Sequence, residues 1–191
     1  MRVHGVALFP ADTVYGLACE PDAPEAVERL YRLKGRPPGK PAAVLFFERE
    51  LALAALPELG ERTQAALLAL LPDALTVLLP NPAARFRLAC GSDPATLGLR
   101  VPRLGGALAP LASVRRPVLQ SSANRAGGPD ARRIEEVPGD IRRGVDLVLH
   151  AGELPGTPST VVDLRSYEAR GEWSVVREGA VAATDLAGRL D

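Results

Sequence analysis

"PDAPEAVERLYRLKGRPPGKPAAVLFF", residues 21–47, decides the fold class. Its first half predicts a helix over 21–34: Asp22 is placed to cap it, Pro24 suits the first turn, and Val27, Leu30, Tyr31 and Leu33 fall on one face. Its end, "AAVLFF" (42–47), is an unbroken apolar run of the kind found in strands whose sheet is covered on both sides. The segment between, "KGRPPGKP" (34–41), is too polar and too rich in proline for either element. A helix, a loop and a buried strand in succession point to α/β architecture.

The same reading extends in both directions. "VHGVALF" (3–9) predicts a strand ending at Pro10, followed by the loop "FPADTVYG". Beyond 47 come two Leu/Ala-rich helices near 49–56 and 60–71, then strands "LTVLL" (75–79) and "TLGLRV" (96–101). "ALAPLASV" (107–114) predicts a short helix, "PVLQSS" (117–122) a strand, "ANRAGGPD" (123–130) a turn, and 131–143 a charged helical region. "DLVLHA" (146–151), "STVVDL" (159–164) and "WSVVRE" (173–178) read as further strands. Helices and strands alternate first and strands dominate later, which predicts one twisted mixed sheet with packed helices in a single domain spanning 1–191.

Composition narrows the function. The 191 residues are 47% hydrophobic and 24% charged with zero formal net charge, which argues against a general nucleic-acid binder driven by phosphate neutralisation. Aromatic residues make up 4%, too few for a row of base-stacking rings. Cys19 and Cys90 are too isolated for a disulfide framework or a zinc site and read as reduced thiols. The N-terminal "MRVHGVALFP" is not a signal peptide, and no stretch reaches the length of a membrane span, so a cytoplasmic protein is expected.

Charge is unevenly placed. Residues 29–47 hold Arg29, Arg32, Lys34, Arg36 and Lys40 without an acid; residues 94–129 hold Arg100, Arg103, Arg115, Arg116 and Arg125, again without one. In a neutral protein this predicts two blocks folded around one anionic ligand, with two solvated basic faces as the alternative. Lys34 and Lys40 are also the only lysines in the chain. Thr13, Ser121, Ser122, Asn124, Ser159 and Thr160 lie near strand ends, where loops of open α/β sheets converge on ligands. Each alone reads as a turn or cap residue; beside the basic blocks they read as a site.

Several motifs fail. "GRPPGKP" is one residue short of a P-loop, has Pro41 where Ser or Thr should stand, and carries two prolines that have no N–H to aim at phosphate. Any phosphate here would be met by side chains. No G-x-G-x-x-G follows a strand, His4 and His150 stand alone, and Ser121 and Ser122 lack a nucleophile elbow. Asp12 and Asp163 are the only acids inside candidate site motifs, where either could serve as a structural acceptor.

Taken together, "FPADTVYGLACEPDAPEAVERLYRLKGRPPGKP", "TLGLRVP", "SSANRAGGP", "STVVD" and "VVREGAV" resemble the YrdC-type threonylcarbamoyl-AMP synthases, in order from about residue 3 to 181. The family's K-x-R signature falls on Lys34 and Arg36 and its S-x-N on Ser122 and Asn124. The resemblance implies a twisted mixed α/β sheet around a positively charged cavity, in the short form of the family. It also implies synthesis of threonylcarbamoyl-adenylate and pyrophosphate from L-threonine, bicarbonate and ATP with Mg2+, for t6A modification of tRNA by a downstream threonylcarbamoyl transferase complex. By position, Thr13, Arg100 and Ser159 are implied threonine contacts; Arg36, Lys40, Thr96, Ser122 and Arg177 are implied ATP contacts; and Lys34 and Asn124 complete a catalytic tetrad with Arg36 and Ser122. An RNA-binding module using the same basic cavity is the alternative, with tRNA as a possible partner. The chain departs from the family pattern at "ADT" (11–13), "PDALT" (72–76), Ala126-Gly127 and Asp130, the last standing where some members place a serine.

Overall fold

The computed structural model describes residues 5–37 and 39–190, and its core is a single nine-stranded mixed sheet. Strands β1 (Val6–Pro10) and β2 (Tyr15–Cys19) form a hairpin, and α1 (Pro24–Lys34) leads through the 35–41 loop to β3 (Ala43–Leu45). Helices α2 (Arg49–Ala55) and α3 (Glu61–Leu70) precede β4 (Leu75–Pro80) and β5 (Thr96–Arg100). A 3-10 stretch, Gly106–Ser113, leads to β6 (Val118–Ser122); α4 (Gly139–Gly144), β7 (Leu147–Val148), β8 (Thr160–Asp163), α5 (Tyr167–Arg170), β9 (Ser174–Arg177) and α6 (Ala183–Leu190) complete the chain. The spatial order is β7-β1-β2-β6-β3-β5-β4-β8-β9, with parallel pairs β1–β7, β3–β5 and β4–β8 among antiparallel neighbours.

The expected mixed α/β sheet is present, with four local corrections. β2 lies where the sequence read as loop, because "ADTV" (11–14) is a tight reversal and the strand after it has no β-branched residue to announce it. Ala23, not Asp22, occupies the N-cap of α1, without a side-chain cap. The charged region at 131–143 divides into a 3-10 turn, Ile134–Glu136, and α4, separated by Pro138. Only two residues of 146–151 form strand, as a short edge beside β1. His4 and the start of the first predicted strand lie outside the described residues.

Side chains alternate across the sheet, and its two faces have different fates. One face carries Leu8, Leu17, Val44, Leu75, Val77, Leu97, Leu99, Leu119 and Val162, all buried in the main core with the helices. On the other face a smaller cluster of Phe9, Ala18, Leu45, Phe47 and Val118 covers only part of the sheet. The remainder is floored by Gly16, Ala43 and Gly98, which share that face through the pairs Gly16↔Ser122, Ala43↔Gln120 and Ala43↔Gly98. Small residues at the middle of a sheet leave a depression, and the functional candidates ring it.

Candidate functional site

The depression is a cavity of about 190 Å3 whose lining includes Thr13, Arg36, Arg100, Ser122, Ser159 and Arg177. Thr13 comes from the β1–β2 turn, Arg36 from the loop after α1, Arg100 from the end of β5, Ser122 from the end of β6, Ser159 from just before β8 and Arg177 from the end of β9. A second compartment of about 400 Å3 adjoins it through Pro41, Ala42, Ala43, Thr76 and Val161, and extends to Cys90, Thr96 and Arg165. Three arginines face the first cavity against one aspartate, Asp130.

Arg100 is the most deeply set cation, only 4% exposed. Its Nη2 donates to Asp12 Oδ1 at 2.8 Å and to Thr13 Oγ1 at 3.3 Å, and its Nη1 to Gln120 Oε1 at 3.4 Å. Asp12 also accepts the Arg103 backbone N–H at 3.1 Å. Burial pushes the Asp12 carboxyl up from its ordinary pKa, against the pull of Arg100. The pair therefore holds the guanidinium in place more than it adds to stability, since desolvation offsets much of the attraction. Arg100 Nε has no partner among the described residues although it is buried, as is true of Arg36 Nε. A buried N–H donor without an acceptor is costly, so both nitrogens are unmet polar groups in the wall of the site.

Arg36 reaches the cavity because α1 ends in left-handed Gly35 (φ 61°), whose N–H bonds Arg32 O while Arg36 N bonds Tyr31 O. The guanidinium lies 5.8 Å over the Tyr31 ring and donates to Pro41 O. Arg177 Nη2 donates to Ser159 O at 2.7 Å, and the hydroxyls of Ser159 and Thr76 are 2.9 Å apart.

Lys34 does not line the cavity. It is 1% exposed, and its Nζ donates to Ser122 O, to Asn124 O at 3.0 Å and to Asn124 Oδ1 at 2.8 Å, which occupies all three N–H groups. Burial, helped by nearby Arg36 and opposed by Asp130, lowers its pKa to about 8. Asn124 in turn accepts from Ser122 Oγ at 2.8 Å and donates to Gly128 O at 2.6 Å and Asp130 Oδ1 at 3.1 Å. The K-x-R and S-x-N residues thus form one cluster, with Arg36 and Ser122 at its open side and Lys34 and Asn124 behind them.

Of the site residues expected from sequence, Thr13, Arg36, Arg100, Ser122, Ser159 and Arg177 meet at the first cavity, and Thr96 lines the second compartment. Lys40 is exposed and lines neither. The acid-free blocks converge only in part: Arg36 and Arg100 reach the cavity, while Arg29, Arg32, Arg103, Arg115 and Arg125 pair with Asp146, Glu28, Asp73, Glu48 and Asp140. Arg32 meets Glu28 one helical turn away, and the other four meet acids brought from elsewhere in the chain. For that reason the roomier surface cleft beside Arg29, Arg32 and Arg125, about 650 Å3, is not a second anion site. Asp12 and Asp163 act as structural acceptors, for Arg100 and Arg165 respectively. Gln120, Thr76 and Arg165 were missed; the signal for the first two was alternation, which puts them on the face of Gly16, Ala43 and Gly98. Arg165 bonds Thr96 Oγ1 at 3.3 Å from 69 residues away, which no local pattern announces. Cys19 and Cys90 are free and buried, and burial pushes the Cys19 thiol up to about 12.

The fold is a twisted mixed α/β sheet whose small residues floor a cavity lined by three arginines, one aspartate and several hydroxyls. A family model for Sua5, YciO and YrdC, described as "Telomere recombination", matches residues 1–179, and the chain belongs to this family. The Threonylcarbamoyl-AMP synthase of Pyrococcus abyssi is 29% identical over 168 residues, 87% of this chain and 49% of that protein. The crystal structure of P. abyssi Sua5 complexed with L-threonine is similar at a TM-score of 0.81 and 26% identity, covering 97% of this chain and 54% of that one. E. coli YciO is similar at a TM-score of 0.78 and 26% identity, covering 95% and 86%. The chain spans about half the length of the curated relatives it matches.

Proposed function

We propose that the protein is an L-threonylcarbamoyladenylate synthase. The observation that carries the reading is Arg100: a guanidinium set in the cavity lining, bonded to Thr13 and sharing that lining with Ser159, is a seat for the carboxylate of a small hydroxy amino acid. The cavity's volume of about 190 Å3 suits a ligand of threonine's size, and the adjoining compartment extends it on the side of Thr96. A relative of the same fold is described with L-threonine bound.

In this reading Arg100, Thr13 and Ser159 hold threonine, and Arg36, Ser122 and Arg177 meet ATP, with Thr96 in the second compartment and Lys40 on the loop above. The threonine nitrogen bonds the carbon of bicarbonate with loss of water. A carbamate oxygen then attacks the α-phosphorus, and pyrophosphate leaves. Both reacting partners are anions, so the arginines act by masking repulsion and by positioning; no protein nucleophile is needed. Lys34 and Asn124 hold Ser122 in place from behind. Magnesium, brought with ATP, supplies further neutralisation of the triphosphate when bound, and the hard oxygens of Ser122 and Asp130 are of the kind it prefers. The product would pass, in the cytoplasm, to a threonylcarbamoyl transferase complex acting on tRNA. The RNA-binding reading has less support, because five arginines of the acid-free blocks are already paired with acids.

The test is pyrophosphate release with ATP, magnesium, bicarbonate and amino acid. Release that requires both threonine and bicarbonate, and that falls at least about tenfold in Arg36→Ala, is expected because a lost charge-assisted contact is of that order. Release indifferent to threonine overturns the proposal.

A further inference from the structure

Asp130 is out of place in a cavity built for anions. It lines the same cavity as Arg36 and Ser122, and it forms no ion pair among the described residues. A bare carboxylate beside a polyphosphate repels it, and the only charge it serves inside the fold is that of buried Lys34, whose protonated form it favours. Its one bond here, from Asn124 Nδ2, asks only for an acceptor.

The Asn124 amide can sit only one way: its Oδ1 receives Lys34 Nζ, and its Nδ2 faces two acceptors, Gly128 O and Asp130 Oδ1. Because Oδ1 cannot donate, Ser122 Oγ gives its single proton to it. Ser122 therefore turns lone pairs toward the cavity, and Asp130 adds a carboxylate fixed by one oxygen with the other unengaged by any described side chain or backbone group. Two adjacent oxygens that can only accept form a poor surface for a phosphate and a good one for a cation. Magnesium is commonly held by one or two carboxylates together with substrate phosphates, keeping several of its waters.

We propose that Asp130 is a ligand of a divalent cation that binds together with the nucleotide's phosphates, bridging them to the Ser122–Asn124 end of the cavity. The site is conditional: the phosphates carry most of the charge that holds the metal, and the protein adds one carboxylate that does not hold it tightly alone. The carboxylate then makes nucleotide binding depend on metal, because without the cation it opposes the triphosphate and with it it joins the attraction.

This inference rests on the nucleotide-binding reading above, and the test separates the two. Mn2+ is titrated into the full chain with and without the α,β-methylene analogue of ATP, whose α–β link the proposed reaction cannot break, and water-proton relaxation reports bound metal; nucleotide affinity is measured separately in EDTA by equilibrium dialysis. Asp130→Asn keeps an oxygen for the Asn124 bond and removes the charge, and Asp130→Ser serves as a second variant should the first fold poorly. Expected is Mn2+ affinity in the ternary complex at least about tenfold weaker in either variant, with metal-free nucleotide affinity equal or a few-fold tighter than wild type. Equal Mn2+ affinity in variants and wild type overturns the proposal while leaving the nucleotide reading intact. A wild-type chain that binds no nucleotide in EDTA or in Mn2+ overturns both.

Discussion

Lys34 shows how far a side chain's chemistry depends on what surrounds it. From sequence it is one of two lysines in a polar loop and a candidate cation for phosphate; in the structure it ends α1 with its amine enclosed by Ser122 and Asn124. Lys34→Met keeps the stem, removes three donors and strands three buried acceptors, and should lower the unfolding free energy by about 2–4 kcal/mol in urea titrations at pH 7. Its pKa, lowered from 10.5 to about 8, also makes a signed prediction. Between those values the unfolded chain holds the proton that the folded chain has released, so this group's contribution to stability rises with pH through that window. The stability gap between wild type and Lys34→Met should therefore widen from pH 8 to pH 10, and a constant gap counts against the assignment. Arg100 gives the complementary case. Arg100→Lys retains charge but loses the fork that spans Asp12 and Gln120, and should raise the threonine KM at least about tenfold with the fold retained, as judged by circular dichroism.

At the scale of elements, the parts that were hardest to read from sequence are those that build the cavity. The helix over 24–34 and the strands at 43–45, 75–80, 96–100 and 118–122 were legible because hydrophobic periodicity is generated by burial on the core side. β2 was not, because "YGLAC" carries a glycine where a strand normally carries bulk. A Cβ at Gly16 would stand 2.8 Å from Gln120 Nε2 and 3.1 Å from the Phe9 ring. Gly16→Ala should therefore displace the Gln120 side chain from Arg100, costing about 1–3 kcal/mol of stability in denaturant titrations and weakening threonine binding in calorimetry. Unchanged affinity would show that Gln120 does not orient Arg100. The site residues follow the same division. Thr13, Ser122 and Ser159 stood out as hydroxyls near strand ends, whereas Thr76 and Gln120, inside apolar strands, could be found only once the register showed which face they share with Gly16 and Ala43.

The molecule as a whole is built on one nine-stranded sheet, and its main core draws on residues from Val6 to Leu186. It should unfold in one step: far-ultraviolet circular dichroism, which reports the whole sheet, and fluorescence of Trp173, the sole tryptophan, near the β9 end, should give the same urea midpoint. Separate midpoints would divide the chain into two units. Cys19 and Cys90 should resist a thiol reagent at pH 8 until that transition, since both are buried and burial raises both thiols above their ordinary range. Among the described residues no helix is long and apolar enough to cross a membrane. From the sequence by itself follow the α/β class, most of the strands and helices, the family motifs and the residue types of an anionic-ligand site, because local periodicity and motif spacing are written along the chain. Only the tertiary structure decided which arginines face the cavity and which pair with distant acids, that Lys34 sits behind the site, and that Asp130 faces into it. Those facts depend on strand register and on contacts between distant segments, such as Lys34 with Asn124, 90 residues apart, and Arg29 with Asp146, 117 apart, and no local stretch of sequence contains them.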